Sequence, residues 1–157
     1  IEIADAEIER ILRALGMQVL ENGHLEIRRG DSVLTLAGVT DPVAARYGLP
    51  MPDLAAALAG ADPAAPVILL EHRPRDARVR SQAGVALQLS GHTHGGHILG
   101  MDRLVKRANG GFVSGLYDVD GMTLYVGNGA GLWPGFATRI GAPSEIALIT
   151  LRAAATG

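Results

Sequence analysis

Two histidines separated by one residue are the strongest candidates for chemistry in this sequence. His92 and His94 lie in the glycine-flanked segment 91–96. On a strand, two such side chains would point to opposite faces, whereas a glycine-rich turn can direct both imidazoles toward one ion or toward two neighbouring ions. Imidazole binds zinc, iron and manganese, and such ions polarise a phosphoryl oxygen and generate hydroxide near neutral pH. The pair therefore predicts a metal site of the kind that a hydrolase uses.

Two apolar segments of strand length lead into the histidines. Residues 66–72 run from a proline through aliphatic residues to His72, and residues 85–89 run directly into the segment that holds His92 and His94. Both segments are typical of fully buried strands. Ligands of α/β sheets bind beyond the carboxyl ends of the strands, so we expect the three histidines at the same edge.

The other elements follow from periodicity and from turn residues. Residues 5–15 repeat apolar side chains at helical spacing and are followed by Gly16, which favours a helix that ends there. Asp120 and Gly121 lie between two apolar segments, which is a strong hairpin signal. The remaining predictions are strands at 24–28, 33–39, 112–118, 122–126 and 145–151, and a short helix at 53–59.

Composition limits the classes of function. The 157 residues, with 48% hydrophobic and 19% charged side chains, have the length and balance of one globular domain over residues 1–157. The net charge of −2 and the pI near 6.2 do not favour nucleic-acid binding. The chain has no cysteine, so disulfides and thiolate chemistry are excluded.

Several segments resemble the calcineurin-like metallophosphoesterase superfamily. The segment 91–94, preceded by the strand that ends at His72, is similar to its last two motifs, and segments 36–42 and 139–146 resemble a bacterial branch that includes membrane-associated phosphodiesterase-like proteins. The resemblance implies an α/β (α+β) fold, the C-terminal half of a four-layer αββα sandwich with mixed sheets. It also implies that His72 and His92 bind one divalent ion and that His94 binds the other, the ions being Mn, Fe or Zn.

The sequence departs from the family pattern before His72. The family also has an Asp-x-His motif, a Gly-Asp motif whose aspartate bridges the metals, and a Gly-Asn-His motif with the catalytic histidine. Neither Asp-x-His nor Gly-Asn-His precedes His72, and the one Gly-Asp pair there, Gly30-Asp31, is interpreted as a turn between strands. We therefore expect the catalytic histidine upstream of Ile1 and no catalytic residue within this chain. With two ligands for one ion and one for the other, metal binding should be weak, and the chain alone should be inactive.

Other residues near these motifs have two interpretations each. Asp41 could orient a metal-bound histidine or cap the turn before Pro42. Arg139 could contact a substrate phosphate, or it could pair with Glu145 or remain solvated. His97 could contact substrate or act as an extra ligand, although a supporting or solvent-facing place is the better interpretation. The arginines at 73–80 could contact a substrate phosphate or form a solvated surface. Trp133 could cover the pocket or contact an apolar part of a substrate, or it could pack its loop against the sheet.

Two hypotheses of different class follow. The first is a metal-dependent phosphoesterase in the full-length parent, acting on a phosphate-ester small molecule or a lipid-linked phosphate; the second is a non-catalytic metal-binding or structural module. No apolar segment approaches the roughly eighteen residues that span a bilayer, and a parent in a bacterium could be membrane-associated or cytoplasmic. Half of a two-sheet core exposes apolar faces, which predicts a homo-oligomer or a missing N-terminal half as partner.

Overall fold

The computed structural model describes residues 5–132 and 139–152, and they form two compact units that divide between Glu71 and His72. Within these ranges, each unit contains three strands and two α-helices. The interpretation of residues 1–157 as one domain stays a prediction.

The first unit begins with a helix and continues as a hairpin. Helix α1 (Asp5–Ala14) ends two residues before Gly16, whose φ of +79° leaves the helical region, so the helix stops within one residue of the predicted end. The 3₁₀ helix Pro42–Tyr47 follows the second strand, and Asp53 caps the next helix by accepting a hydrogen bond from the Ala56 N–H. The regular elements are α1 (Asp5–Ala14), β1 (Gly23–Arg29), β2 (Ser32–Gly38), α2 (Leu54–Ala57) and β3 (Val67–Leu70).

The three strands of the first unit form a mixed sheet. Strands β1 and β2 are antiparallel, with Leu25 opposite Leu36, and β2 and β3 are parallel. The buried side chains of this unit include Ala37 and Leu69, each with 0% exposure. Strand β3 ends at Leu70, two residues before His72, which therefore lies beyond the strand's carboxyl end.

The described part of the second unit contains two short helices and three strands of mixed direction, β4 (Val85–Ser90), β5 (Gly115–Val119) and β6 (Met122–Val126). Strand β6 lies between β4, to which it is parallel, and β5, to which it is antiparallel. Asp120 and Gly121 have φ values of +53° and +87°, which is the geometry of a tight hairpin turn and confirms that prediction. The regular elements are α3 (Ala77–Gln82), β4 (Val85–Ser90), α4 (Asp102–Ala108), β5 (Gly115–Val119) and β6 (Met122–Val126), with 3₁₀ turns at Pro74–Asp76 and His94–Gly96.

One predicted strand begins later than expected. Strand β5 begins at Gly115 and not at residue 112. The backbone groups before it are bonded to side chains: the Val113 carbonyl accepts from Thr93 Oγ1 at 2.6 Å, and the Val113 and Ser114 N–H groups donate to Tyr117 Oη at 3.1 and 3.3 Å. Those groups cannot also serve a strand ladder.

The predicted strand at 145–151 is wrong. Residues 143–152 have no regular secondary structure, and Ile146 and Leu148 are 93% and 96% exposed. A strand needs a neighbouring edge that bonds its backbone, and no strand of the described residues pairs with this segment. Alternation of apolar residues identified a segment suited to a strand but could not supply its neighbour.

The α/β class with mixed sheets is confirmed, and it is consistent with part of the sandwich fold that the resemblance implies. Within the described ranges, none of the helices has both the length and the apolar character needed to cross a membrane.

Candidate metal centre

The candidate centre lies in the second unit, where the chain leaves β4. Immediately after this strand, the Gly91 N–H donates a hydrogen bond of 3.0 Å to the His72 carbonyl. This bond fixes the backbone of His72 beside the segment that carries His92 and His94. The backbone of His72 and the start of the segment with the paired histidines are thus brought together, as the sequence predicts.

The imidazoles of His72 and His92 contact each other through one ring nitrogen of each. His72 Nε2 lies 3.2 Å from His92 Nδ1, and the ring centroids are 5.0 Å apart at an interplanar angle of 77°. Two nitrogen ligands of one tetrahedral zinc ion, each about 2.05 Å from the metal, are about 3.3 Å apart. The separation of the two nitrogens is that of a hydrogen bond between the rings, and it also fits ligation of a single ion.

The backbone of this loop adopts a conformation that L side chains rarely take. His92, His94 and His97 have φ values of +69°, +49° and +60°. Such conformations cost roughly 1–3 kcal/mol each and persist where the surroundings enforce them, often at functional sites. They also remove the strand geometry that would direct His92 and His94 to opposite faces.

Close packing and one partly buried hydrogen bond enforce the loop. Thr93 is only 1% exposed, and its hydroxyl donates to the Val113 carbonyl at 2.6 Å. A Cβ on Gly96 would lie 2.7 Å from the Cα of Asp102, so the loop and the start of α4 are in backbone contact there. Sequence reasoning missed both Thr93 and Asp102. The apolar residues of β4 indicate that this part of the chain is buried. They do not indicate that Thr93 bonds to Val113 or that Gly96 lies against Asp102.

Arg139 packs against His94. Its Nη2 lies 3.1 Å from His94 Nδ1 and donates to the Asn128 carbonyl at 2.9 Å, and its Nη1 lies 3.3 Å from the Ala142 carbonyl. The guanidinium thus joins the histidine loop to the segments around residues 128 and 142. Contact of Arg139 with a substrate phosphate stays a prediction.

The environment of His94 favours the neutral ring. Burial lowers the pKa of His94 most, the nearby charges of Arg139, His97 and His72 lower it further, and a hydrogen bond with the Gly131 backbone opposes them. A neutral imidazole is the form that binds a metal. The lowered pKa is compatible with the predicted ligand role of His94, which stays a prediction.

His97 and Asp41 occupy different surroundings. His97 is 0% exposed, and its ring centroid lies 5.2 Å from that of His94, which favours a supporting place beside His94. Asp41 belongs to the first unit, where its Oδ1 accepts from the Val43 N–H at 2.8 Å and caps the 3₁₀ helix. Roles in substrate contact for His97 and in orienting a ligand for Asp41 stay predictions.

A second contact network near the site was not predicted. Tyr125 Oη donates to the Glu145 carboxylate, which also accepts from the Asn128 N–H at 3.2 Å. Glu145 therefore holds the loop that follows β6, from which Asn128 bonds to Arg139. The sequence predicts a strand that starts at Glu145 and offers pairing with Arg139 as one interpretation, and neither indicates the contacts with Tyr125 and Asn128.

The described residues contain part of the predicted centre. Across 5–132 and 139–152, no group of three or more His, Cys, Asp or Glu side chains is arranged to hold a metal ion. His72 and His92 form a pair, and His94 lies with Arg139 and His97. The assignment of all three histidines as ligands stays a prediction, and Trp133 lies outside the described residues.

Similar proteins share most of this chain. An uncharacterized metallophosphoesterase of Campylobacter jejuni is 38% identical over 92% of the chain, and one of Helicobacter pylori (strain J99) is 39% identical over 89%. A transmembrane protein with a metallophosphoesterase domain from Danio rerio is 35% identical over 92%. The chain spans 34–37% of the length of these relatives.

No family profile and no solved structure matches the chain. The similarity to named relatives at 35–41% identity agrees with the motifs around His72 and His92. The chain therefore belongs to the calcineurin-like metallophosphoesterase superfamily and corresponds to the C-terminal part of its relatives.

Proposed function

We propose that this chain supplies part of a binuclear metal centre in a protein that hydrolyses phosphate esters. His72 and His92 bind one divalent ion, and His94 is a ligand of the second. The observation that carries the proposal is the 3.2 Å separation between His72 Nε2 and His92 Nδ1, which suits two ligands of one ion. The metallophosphoesterase names of the relatives support the same reaction class.

Each part of the centre has a separate task. The bound ions, Mn, Fe or Zn, would polarise the phosphoryl group and supply hydroxide near neutral pH. The Gly91 N–H and the Thr93 hydroxyl restrain the backbone of the loop that carries the imidazoles. The guanidinium of Arg139 lies beside His94 and adds positive charge where a phosphate would approach.

The chain alone is inactive in this proposal. Three histidines give two ligands to one ion and one to the other, whereas hydrolysis by two metals needs both ions held a few ångströms apart. The remaining ligands and the catalytic histidine belong upstream of Ile1. The substrate of the full-length protein is a small phosphate ester or a lipid-linked phosphate.

A non-catalytic metal-binding or structural module is the alternative. The observation that favours it is that, in the part of the chain described, no three potential ligands converge on one point. The two proposals differ in what the full-length protein contains. Aspartate, histidine and asparagine ligands upstream of Ile1 favour the enzyme, and their absence favours the module.

The cellular location is proposed for the full-length parent protein. Two vertebrate relatives are named as transmembrane proteins with a metallophosphoesterase domain. We infer for the bacterial parent either attachment to a membrane or a place in the cytoplasm.

Hydrolysis of bis(p-nitrophenyl) phosphate with added Mn²⁺ tests the proposal. The isolated chain should give no turnover above that of the metal alone. The full-length protein should turn the ester over and lose about a hundredfold or more in rate on His92→Ala, since one ion loses a ligand. His24→Gln, in the other unit, should retain the rate. Turnover by the isolated chain that His94→Ala abolishes would contradict the proposed incompleteness.

A further inference from the structure

The charges of the chain are divided unevenly along the sequence. Residues 72–110 contain seven lysines and arginines and two aspartates, a formal charge of +5, whereas the whole chain carries −2. The rest of the chain therefore carries −7. The positive segment contains every histidine of the candidate metal centre, so an anionic partner is attracted to the part of the surface where the centre lies.

Helix α4 presents much of this positive charge. Arg103, Lys106 and Arg107 are exposed, while Val105 is buried. At 100° per residue, the three cations share one side of the helix and Val105 lies on the other. Exposed cations on one side suit a broad anionic surface better than a single small ion.

A second group of cations adjoins the end of this helix. A Cβ on Gly110 would lie 2.6 Å from the Arg75 carbonyl oxygen, so the segment after α4 passes against the turn that precedes α3. Arg75 and Arg78 are exposed there. We use the name basic surface for Arg75, Arg78, Arg103, Lys106 and Arg107.

An apolar recess opens between the basic surface and the candidate metal centre. It has a volume of about 300 Å³ and is lined by His92, Thr93, Leu104, Val105, Ala108 and Asn109. Leu104 is 67% exposed and lies at the border between the cations and the recess. A cationic surface, an exposed leucine and an apolar recess beside a metal ligand match the layers of a lipid interface, where anionic headgroups cover acyl chains.

We propose that the basic surface and Leu104 dock this protein on an anionic lipid membrane, with the recess beside His92 receiving part of a lipid. Nucleic acid also attracts cations, but it would make no use of the apolar recess, and only 4% of residues are aromatic and able to stack on bases. The consequence that the substrate is a phospholipid or lipid-linked phosphate rests on the proposed function. The docking itself does not.

Vesicle co-sedimentation of this chain in EDTA tests the docking. The chain should bind phosphatidylglycerol vesicles more tightly than phosphatidylcholine vesicles, and 0.5 M salt should weaken the binding. The triple variant Arg103→Gln, Lys106→Gln, Arg107→Gln should bind about a hundredfold more weakly. Leu104→Gln, which keeps all charges, should bind about tenfold more weakly. It also serves as the test if the triple variant does not fold.

A matched control removes three exposed charges elsewhere. The variant Arg29→Gln, Arg46→Gln, Arg152→Gln changes the net charge equally outside residues 72–110 and should keep most of the vesicle binding. Equal losses in both triple variants, no binding to phosphatidylglycerol vesicles, or stronger binding to a single-stranded oligonucleotide would each overturn the proposal. Metal titration of the same variants in buffer without EDTA reports on the His72 and His92 site separately, so failure of docking is distinguishable from failure of the metal centre.

Discussion

The guanidinium of Arg139 lies with its Nη2 atom 3.1 Å from Nδ1 of His94. A guanidinium can only donate, so this contact is compatible with a His94 Nδ1 that accepts. The same nitrogen donates to the carbonyls of Asn128 and Gly129 at 2.9 and 3.0 Å. Arg139 therefore connects the electrostatics of His94 to the loop after β6.

Replacement of Arg139 should raise the pKa of His94. Burial is the main cause that lowers this pKa and remains in Arg139→Gln, but the positive charge that is the second cause is removed. The ring should then protonate at a higher pH than in the unchanged chain, although still below the ordinary range. Imidazole NMR signals followed against pH measure this, with Arg29→Gln as a control. An unchanged His94 titration in Arg139→Gln would contradict the assigned cause.

The same pKa predicts how stability depends on pH. Because the folded-state pKa of His94 is lowered, the unfolded chain takes up a proton at a higher pH than the folded chain. This contribution to stability is fully present above the ordinary histidine pKa and is lost as pH falls through that value toward the folded-state pKa. Urea unfolding at several pH values should show a smaller acid loss in His94→Gln than in the unchanged chain. Identical losses of unfolding free energy at acid pH in the two proteins would contradict this contribution of His94.

Gly96→Ala should destabilise the second unit more than a glycine substitution in open space. Gly96 has a φ of +85°, and its added Cβ would lie 2.7 Å from backbone atoms of Asp102. We expect a loss of about 2–4 kcal/mol in the free energy of unfolding, from strain and from overlap together. Gly84→Ala, with a φ of +83° and no atom within 4 Å, isolates the strain alone and should lose about 1 kcal/mol. Equal losses would show that the overlap relaxes freely.

Thr93→Val should lower the stability of the histidine loop and its affinity for metal, without changing the volume of the side chain. The substitution keeps the shape of the side chain but removes the hydroxyl that donates to the Val113 carbonyl. We expect about 1–2 kcal/mol of lost stability, because a partly buried carbonyl loses its donor, and weaker metal binding. Thr123→Val on the exposed side of β6 is the control and should change neither quantity. Denaturant unfolding and metal titration measure the two effects.

Self-association through the C-terminal apolar surface is a further expectation. Leu116 and Leu148 are 72% and 96% exposed, and both line an apolar recess of about 470 Å³. Exposed apolar surface of this extent favours a second copy or a mate chain. Light scattering should give a mass above that of one chain, and Leu148→Lys should reduce it. A compact monomer over a wide concentration range would contradict the expectation.

Much of the fold was predictable because its signals are local. Residues 5–15 and the Asp120-Gly121 turn carry their own periodicity and turn chemistry, and both elements form as predicted. The strand bounds at 112 and 145 failed for a different reason. The Thr93 hydroxyl donates to the Val113 carbonyl. No described strand bonds to residues 145–151. Both facts depend on residues far away in the sequence.

The candidate site shows the same limit. The spacing of His92 and His94 predicted a turn that brings histidines together, and His72 does lie against His92. The contacts of Arg139 could not be predicted, because its partners His94 and Asn128 come from separate segments. Motifs identify the groups that can do chemistry, whereas their supporting contacts depend on the tertiary structure.

Metal binding by the His72 and His92 pair tests the central claim most directly. Calorimetric titration with Zn²⁺ or Mn²⁺ should be made on the unchanged chain, His72→Ala, His92→Ala and the double variant. If both imidazoles bind one ion, each single variant should lose about tenfold or more in affinity, and the double variant should lose little beyond that. Unchanged affinity in either single variant, or losses that simply add, would contradict a shared ion.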